Sequence, residues 1–401
     1  MRRALAFAAL CMFLVHCEAA KGQAAGEFEV VASDLEFPTN VAVAPDGRIF
    51  FTEKNTGRVR IIENGRLRPR PFATIPVYAG GEAGMLGLAL HPEFPDEPWV
   101  YLYYTTPEDG RLVRVRAEGN EAGRMETLLD GIPTASFHNG GDLAFGLDGT
   151  LFLVLGDRTD ESLAQDPDST GGKILRFNPD GSIPDDNPFG GSNPAYSMGH
   201  RNSFGLCVDP QTGTLWETEN GPSSDDEVNR IEPGGNYGWP LFLGPGSDEG
   251  FIDPVLPIPE IIVPTGCAFF GGAGPGSELT DALYFGDYRG TLHRVTLSGD
   301  RTRVKADDAL LTGLSPIIDV HRGPDGRLYV ATTVSVLAGP QETEPSPSPA
   351  PSPSPSVAPT ATAATPVPQP PADDGGGALP WVLGGAGVAA VAGLFLLIGR
   401  R

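Results

Sequence analysis

The 401-residue chain sets 28 Lys and Arg against 51 Asp and Glu, a formal charge of −23, and carries 53 Gly and 40 Pro. Nucleic acid is excluded as a natural partner, because binding it requires a basic face that displaces counterions, and no Lys/Arg cluster provides one. Gly and Pro at close to a quarter of all positions also argue against a helix bundle and for many short strands joined by turns.

Met1-Arg2-Arg3, the apolar run Ala4 to Val15 and the small pair Ala19-Ala20 have the order of a secretory signal over residues 1–20, so export is expected. Lipid modification at Cys17 is the alternative, but His16 stands where that signal takes a small residue. Residues 26–338 then form one globular region, long enough to bury a large core. Cys207 and Cys267 remain there, either as a disulfide in an oxidising compartment or as two separate buried thiols. No Cys/His spacing matches a zinc site.

One pattern recurs along this region: a turn, usually carrying Asp and Gly, before a strand-like apolar run. It occurs at Pro45-Asp46-Gly47, Pro95-Asp96-Glu97-Pro98, Leu147-Asp148-Gly149, Asp209 to Gly213, Leu279-Thr280-Asp281 and Pro324-Asp325-Gly326. Six copies at a period of roughly 40 to 70 residues, with nothing strongly helical between them, predict an all-β, six-bladed β-propeller. Two stacked β-sandwiches would account for the strands but not for the repeated turn.

Histidine is scarce, with six in the chain. His138 lies in Ser136-Phe137-His138-Asn139-Gly140-Gly141-Asp142, where glycines allow a ligand close to a group suited to proton transfer near neutrality. It is the candidate general base; a structural role is the alternative for any single histidine. Gly199-His200-Arg201-Asn202 sets a guanidinium beside an amide, suited to an anionic or carbonyl-bearing ligand. Glu219-Asn220-Gly221-Pro222 and the following Asp225-Asp226-Glu227 offer carboxylates and main-chain carbonyls, the oxygen chemistry that Ca²⁺ takes, although without an EF-hand pattern.

Residues 341–378 are rich in Pro, Ser and Thr and predict an extended linker. Leu379 to Gly399 is an uncharged run of 21 residues closed by Arg400-Arg401. At 1.5 Å per residue such a helix crosses a hydrocarbon core of roughly 30 Å, and the arginines fit the positive-inside rule. An exported propeller, anchored at the outer face of the membrane by a C-terminal helix, is the expected topology.

The motifs Gly84 to Phe94, His138-Asn139-Gly140-Gly141, Gly172 to Pro184, Gly199-His200-Arg201-Asn202, Glu219-Asn220-Gly221-Pro222 and Asn236-Tyr237-Gly238-Trp239-Pro240 stand in the order found in one family. Across Phe28 to Thr333 the chain resembles the soluble quinoprotein glucose/sorbosone dehydrogenases, or aldose sugar dehydrogenases. The resemblance implies a propeller that holds pyrroloquinoline quinone (PQQ) and Ca²⁺ and oxidises the C1 hydroxyl of an aldose to a lactone. By the same resemblance His138 is the base, while Arg201 and Asn202 contact the cofactor and Arg201 steadies the charge that develops on reduction. Glu82 and Asn220 supply further polar contacts. The carbonyls of Gly221 and Pro222 bind the cofactor's Ca²⁺, and Glu227 with the Tyr237 carbonyl binds a second, structural Ca²⁺.

The departures concern charge. Tyr288 stands where the family tends to place a Lys, no Arg occurs in Ser315 to Asp319 where two are expected, and Phe137 replaces a frequent Asp. Arg289 is the replacement cation nominated for the cofactor, with Arg322 as the other candidate. Two other functions stay open: a propeller that binds a surface glycan or protein without a quinone, and Ca²⁺-dependent lactone hydrolysis. The sequence names neither the sugar nor the electron acceptor.

Overall fold

The structure, a computed structural model, describes residues 28–247, 250–273 and 277–342. The expected signal segment 1–20, the linker beyond residue 342 and the membrane helix 379–399 lie outside them. Among the described residues no helix is long and apolar enough to cross a membrane.

Six antiparallel sheets are present, five with four strands and one with five. The innermost strands, in chain order, are Pro38–Val43, Met85–Leu90, Leu143–Phe145, Ser203–Val208, Pro264–Gly272 and Ile317–Arg322. Five of the six repeated turns connect the first strand of a blade to its second; in blade 5 Thr280 and Asp281 already belong to the second strand, Thr280–Asp287. In four of these turns the Asp accepts from the backbone two residues on, as in Arg48 N to Asp46 Oδ1 at 3.2 Å and Thr150 N to Asp148 Oδ1 at 3.0 Å. This local bond explains why an Asp turn repeats with the fold.

The core is divided by blade interface. Each of the six interfaces holds its own cluster of buried apolar side chains, such as Phe50, Val59 and Ile61 of blade 1 against Met85, Val100 and Leu102 of blade 2. Neighbouring sheets thus bury both faces, which is why strands such as Leu151–Leu155 are apolar throughout instead of alternating. The ring closes through the N-terminal strand Glu29–Ser33, which pairs with Ser335–Gln341 as the outermost strand of blade 6.

Polar side chains lace the innermost strands together. Asn40 donates to Asp142 Oδ1 at 3.0 Å and accepts from Leu88 N at 3.1 Å; Asp142 Oδ2 accepts from Leu206 N at 2.7 Å, and Asp319 Oδ2 from Val41 N at 2.8 Å. Cys207 and Cys267 form a disulfide, Cα–Cα 5.6 Å, joining the innermost strands of blades 4 and 5. That resolves the choice between a bridge and two thiols.

Candidate active site

Two cavities occupy opposite mouths of the central channel. One, of about 440 Å³, is walled by the beginnings of the innermost strands, including Thr39, Leu86, Phe204, Thr265 and Ile318. The other, of about 410 Å³, lies at their ends and contains the disulfide; Asn40 and Asp142 border both. Glu82, Phe137, Gly140 and Asn220 also line the first cavity, so the loops singled out by sequence converge on this end.

His138 has a backbone φ of +60°, a left-handed conformation that costs a residue with a side chain about 1–2 kcal/mol. Its N–H donates to Glu82 Oε2 at 2.7 Å, and its Nδ1 lies 2.6 Å from Asp157 Oδ1. An ionised carboxylate accepts only, so this contact fixes the Nδ1–H tautomer and leaves Nε2 as the free acceptor. Asp157 is buried and also accepts from Thr159 N at 2.7 Å and from Trp239 Nε1 at 2.8 Å.

The loop carrying Asp157 joins the base to the guanidinium. Arg158 N donates to His138 O at 3.2 Å, and Asp157 N to Arg201 O at 2.8 Å. Gly156 makes this approach possible: a Cβ there would lie 2.5 Å from His138 O and 2.9 Å from Arg201 O. Arg201 Nη1 donates to Asn220 O at 2.8 Å and Gly221 O at 2.9 Å, and the guanidinium sits 5.4 Å from the Trp239 ring. Burial pulls its pKa down, against the neighbouring Asp157, Glu219, Glu82 and Asp226. Asn202 is buried and reaches Glu82 Oε2 at 3.4 Å.

His138, Arg201, Glu82, Asn202, Asn220 and Gly221 are therefore assembled in one place. The Gly221 carbonyl is not bare, as a metal-ligand reading assumes, because Arg201 occupies it. Pro222 follows it on an exposed part of the same turn. Arg289 is not brought to the site: its side chain is 55% exposed, 3.4 Å from Glu260 and bonded to the Ile261 carbonyl, and it does not line the cavity. An acidic and a carbonyl acceptor beside it hold it at the surface. Arg322 pairs with Glu342 at 2.6 Å and borders the opposite cavity.

Glu227 and Tyr237 meet in a second, buried cluster. Ligand atoms of His200, Glu217 and Glu219 lie within 4.8 Å of one another. Asn229 Nδ2 bridges Glu217 Oε2 at 3.0 Å and Glu227 Oε2 at 3.2 Å, and the Tyr237 ring stacks on His200 at 4.9 Å. Burial pushes Glu217 up to about 8 and Glu227 up to about 7, and it raises Glu219 as well. The same burial pushes His200 down to about 4, so it supplies no positive charge at neutrality. Glu217 Oε1, Asn229 Oδ1 and Ser203 Oγ are buried without a hydrogen-bond partner among the described residues. Three buried glutamates beside these unpartnered carboxylate, amide and hydroxyl oxygens fit an oxygen-preferring cation.

Sequence reasoning missed Asp157 and the contact that Trp239 makes with it. Asp157 stands two residues after the buried strand Leu151–Leu155 of the blade next to His138, which was a usable signal. Asp226 shapes the carbonyl turn, accepting from Gly221 N at 2.8 Å and from Ile262 and Val263 N at 2.7 and 2.8 Å. Trp239 stands in one of the ordered motifs, but its contact with Asp157 lies 82 positions away along the chain.

A six-bladed propeller with a carboxylate-oriented histidine beside a half-buried arginine defines a channel-mouth enzyme site. Residues 35–336 match the Glucose / Sorbosone dehydrogenase family, and the chain belongs to that family. It is 31% identical to aldose sugar dehydrogenase YliI of Escherichia coli K12 over 334 residues, covering 77% of this chain and 90% of that protein. A putative oxidoreductase (glucose dehydrogenase) from Thermus thermophilus superposes with a TM-score of 0.72 at 40% identity, over 78% of this chain and 98% of the other. The PQQ-bound form of aldose sugar dehydrogenase from Streptomyces coelicolor gives 0.70 at 33% identity, over 78% and 97%. The chain is an oxidoreductase of the sugar dehydrogenase class.

Proposed function

We propose that the protein oxidises an aldose at C1 to the lactone, using PQQ and Ca²⁺, at the outer face of the membrane to which its C-terminal segment anchors it. The observation that carries the reading is the fixed tautomer of His138, held by Asp157 next to the Arg201-Asn202 pair. The site fits a polar, anionic cofactor: Arg201 Nε and Asn202 Oδ1 are buried and lack protein partners among the described residues. When bound, the quinone supplies the two-electron acceptor for the hydride leaving C1.

The chain's own part is positional and acid–base. His138 Nε2 takes the C1 hydroxyl proton, and Asp157 stabilises the resulting imidazolium. Arg201 and Asn202 hold the cofactor, and the guanidinium offsets negative charge developing beside it. The Gly221 and Pro222 carbonyls are the candidate ligands of a cofactor-bound Ca²⁺. Glu227, with Glu217 and the Tyr237 carbonyl, is the candidate structural Ca²⁺ site.

The test is dye-coupled oxidation of aldoses by the purified chain with PQQ and Ca²⁺ added, and product analysis for the lactone. The wild type should turn over and His138→Ala should lose at least a hundredfold, within the range of general-base contributions. Turnover without added quinone, or an unchanged His138→Ala, refutes the reading. Cell-surface labelling of intact cells checks the location.

A further inference from the structure

The walls of the 440 Å³ cleft carry very little positive charge. Glu82 and Asp142 are acidic, Tyr288 and Ile318 come from blades 5 and 6 where cofactor-binding cations were expected, and Lys54 is the one cationic side chain among the described lining residues. We infer that Lys54 binds a carboxylate of the quinone cofactor, replacing from blade 1 the cations absent from blades 5 and 6. This rests on the proposed cofactor.

Lys54 directly follows the strand Ile49–Glu53 and is held there by its backbone, its N–H donating to Phe37 O at 3.0 Å and its carbonyl accepting from Met85 N at 3.0 Å. Gly84 leaves room for its stem: a Cβ at that position would lie 2.8 Å from Lys54 Cγ. The ammonium donates to Gly81 O at 2.7 Å and Asn55 Oδ1 at 3.3 Å, and lies 5.6 Å from the Phe37 ring. An ammonium has three protons, and among the described residues neither a third acceptor nor a carboxylate within 4 Å is found. Lys54 is 9% exposed; burial lowers its pKa and the charge of Glu82 opposes that shift. A desolvated cation is costly unless paired, so a donor left at the cavity wall suits an anionic ligand.

The test measures equilibrium binding of PQQ and of its trimethyl ester to the full chain with Ca²⁺, by calorimetry, for wild type, Lys54→Met and Lys54→Arg. Lys54→Gln replaces Lys54→Met if the latter does not fold. Loss of one charge-assisted bond should weaken the free acid about tenfold or more in Lys54→Met, with a shallower salt dependence, while Lys54→Arg stays within about threefold. Ester affinity should be equal in wild type and Lys54→Met. Unchanged acid binding in Lys54→Met, or equal weakening of acid and ester, overturns the inference while leaving the cofactor assignment intact. Failure of the wild type to bind the acid overturns both.

Discussion

Trp239 donates its indole N–H to Asp157 Oδ2 at 2.8 Å while its ring lies 5.4 Å from the Arg201 guanidinium, so one side chain touches the partner of the base and the neighbouring cation. Trp239→Phe keeps the ring and removes the N–H. A hydrogen bond to a charged group contributes about 1.5–3 kcal/mol, so kcat should fall roughly ten- to hundredfold with little change in KM. Steady-state kinetics of the variant checks both parameters.

Removal of the proposed structural Ca²⁺ should destabilise the fold through the buried glutamates. Chelation is expected to lower the melting temperature by roughly 5–10 °C if Ca²⁺ is held at about a hundred times its dissociation constant. Glu217→Gln removes a candidate ligand from the buried cluster, so it should respond less than wild type to added Ca²⁺. Differential scanning calorimetry with and without chelator decides.

His293 provides a pH dependence elsewhere in the molecule. Burial lowers its pKa, but Asp287 at 3.1 Å and Asp307 at 3.5 Å outweigh it and raise the imidazole from 6.5 to about 9. A raised folded-state value means that this pairing stabilises fully below pH 6.5 and is lost as pH climbs through about 9. The contribution is on the order of 1–3 kcal/mol. Stabilities from denaturant melts at about pH 6 and about pH 9.5 should differ by less in His293→Gln than in wild type.

The Cys207–Cys267 bridge spans 60 positions of sequence. A cross-link of that kind stabilises by about 2–4 kcal/mol, chiefly by restricting the unfolded chain. The double Cys→Ser variant should lose about that much in urea melts while keeping most of its activity, since the bridge borders the cavity opposite the base.

Much of this architecture was readable from residue order. In four blades the repeated Asp turn is a local bond made by residues two apart, so it marks them without knowledge of their neighbours. His138 and Arg201 were also legible, because Gly-containing loops around scarce residue types stand out. The environments of Asp157, Trp239 and Lys54 were not, because they arise from contacts such as Trp239 with Asp157, 82 positions apart, which no window of sequence contains. Arg289 failed for the converse reason: its nomination followed position along the chain, while Glu260 and the Ile261 carbonyl decide where its side chain lies.

The pairing of Glu29 with Ala338 ties the first strand of the ring to the last. During synthesis, blade 6 must wait for its final strand to leave the ribosome before the earliest one has a partner. Until then Val336 and Ala338 are missing from the apolar cluster that covers Val41, Val43 and Phe51. Such late, distant contacts slow folding and leave apolar surface open to aggregation, so a nascent chain paused before residue 335 is a natural client for chaperones.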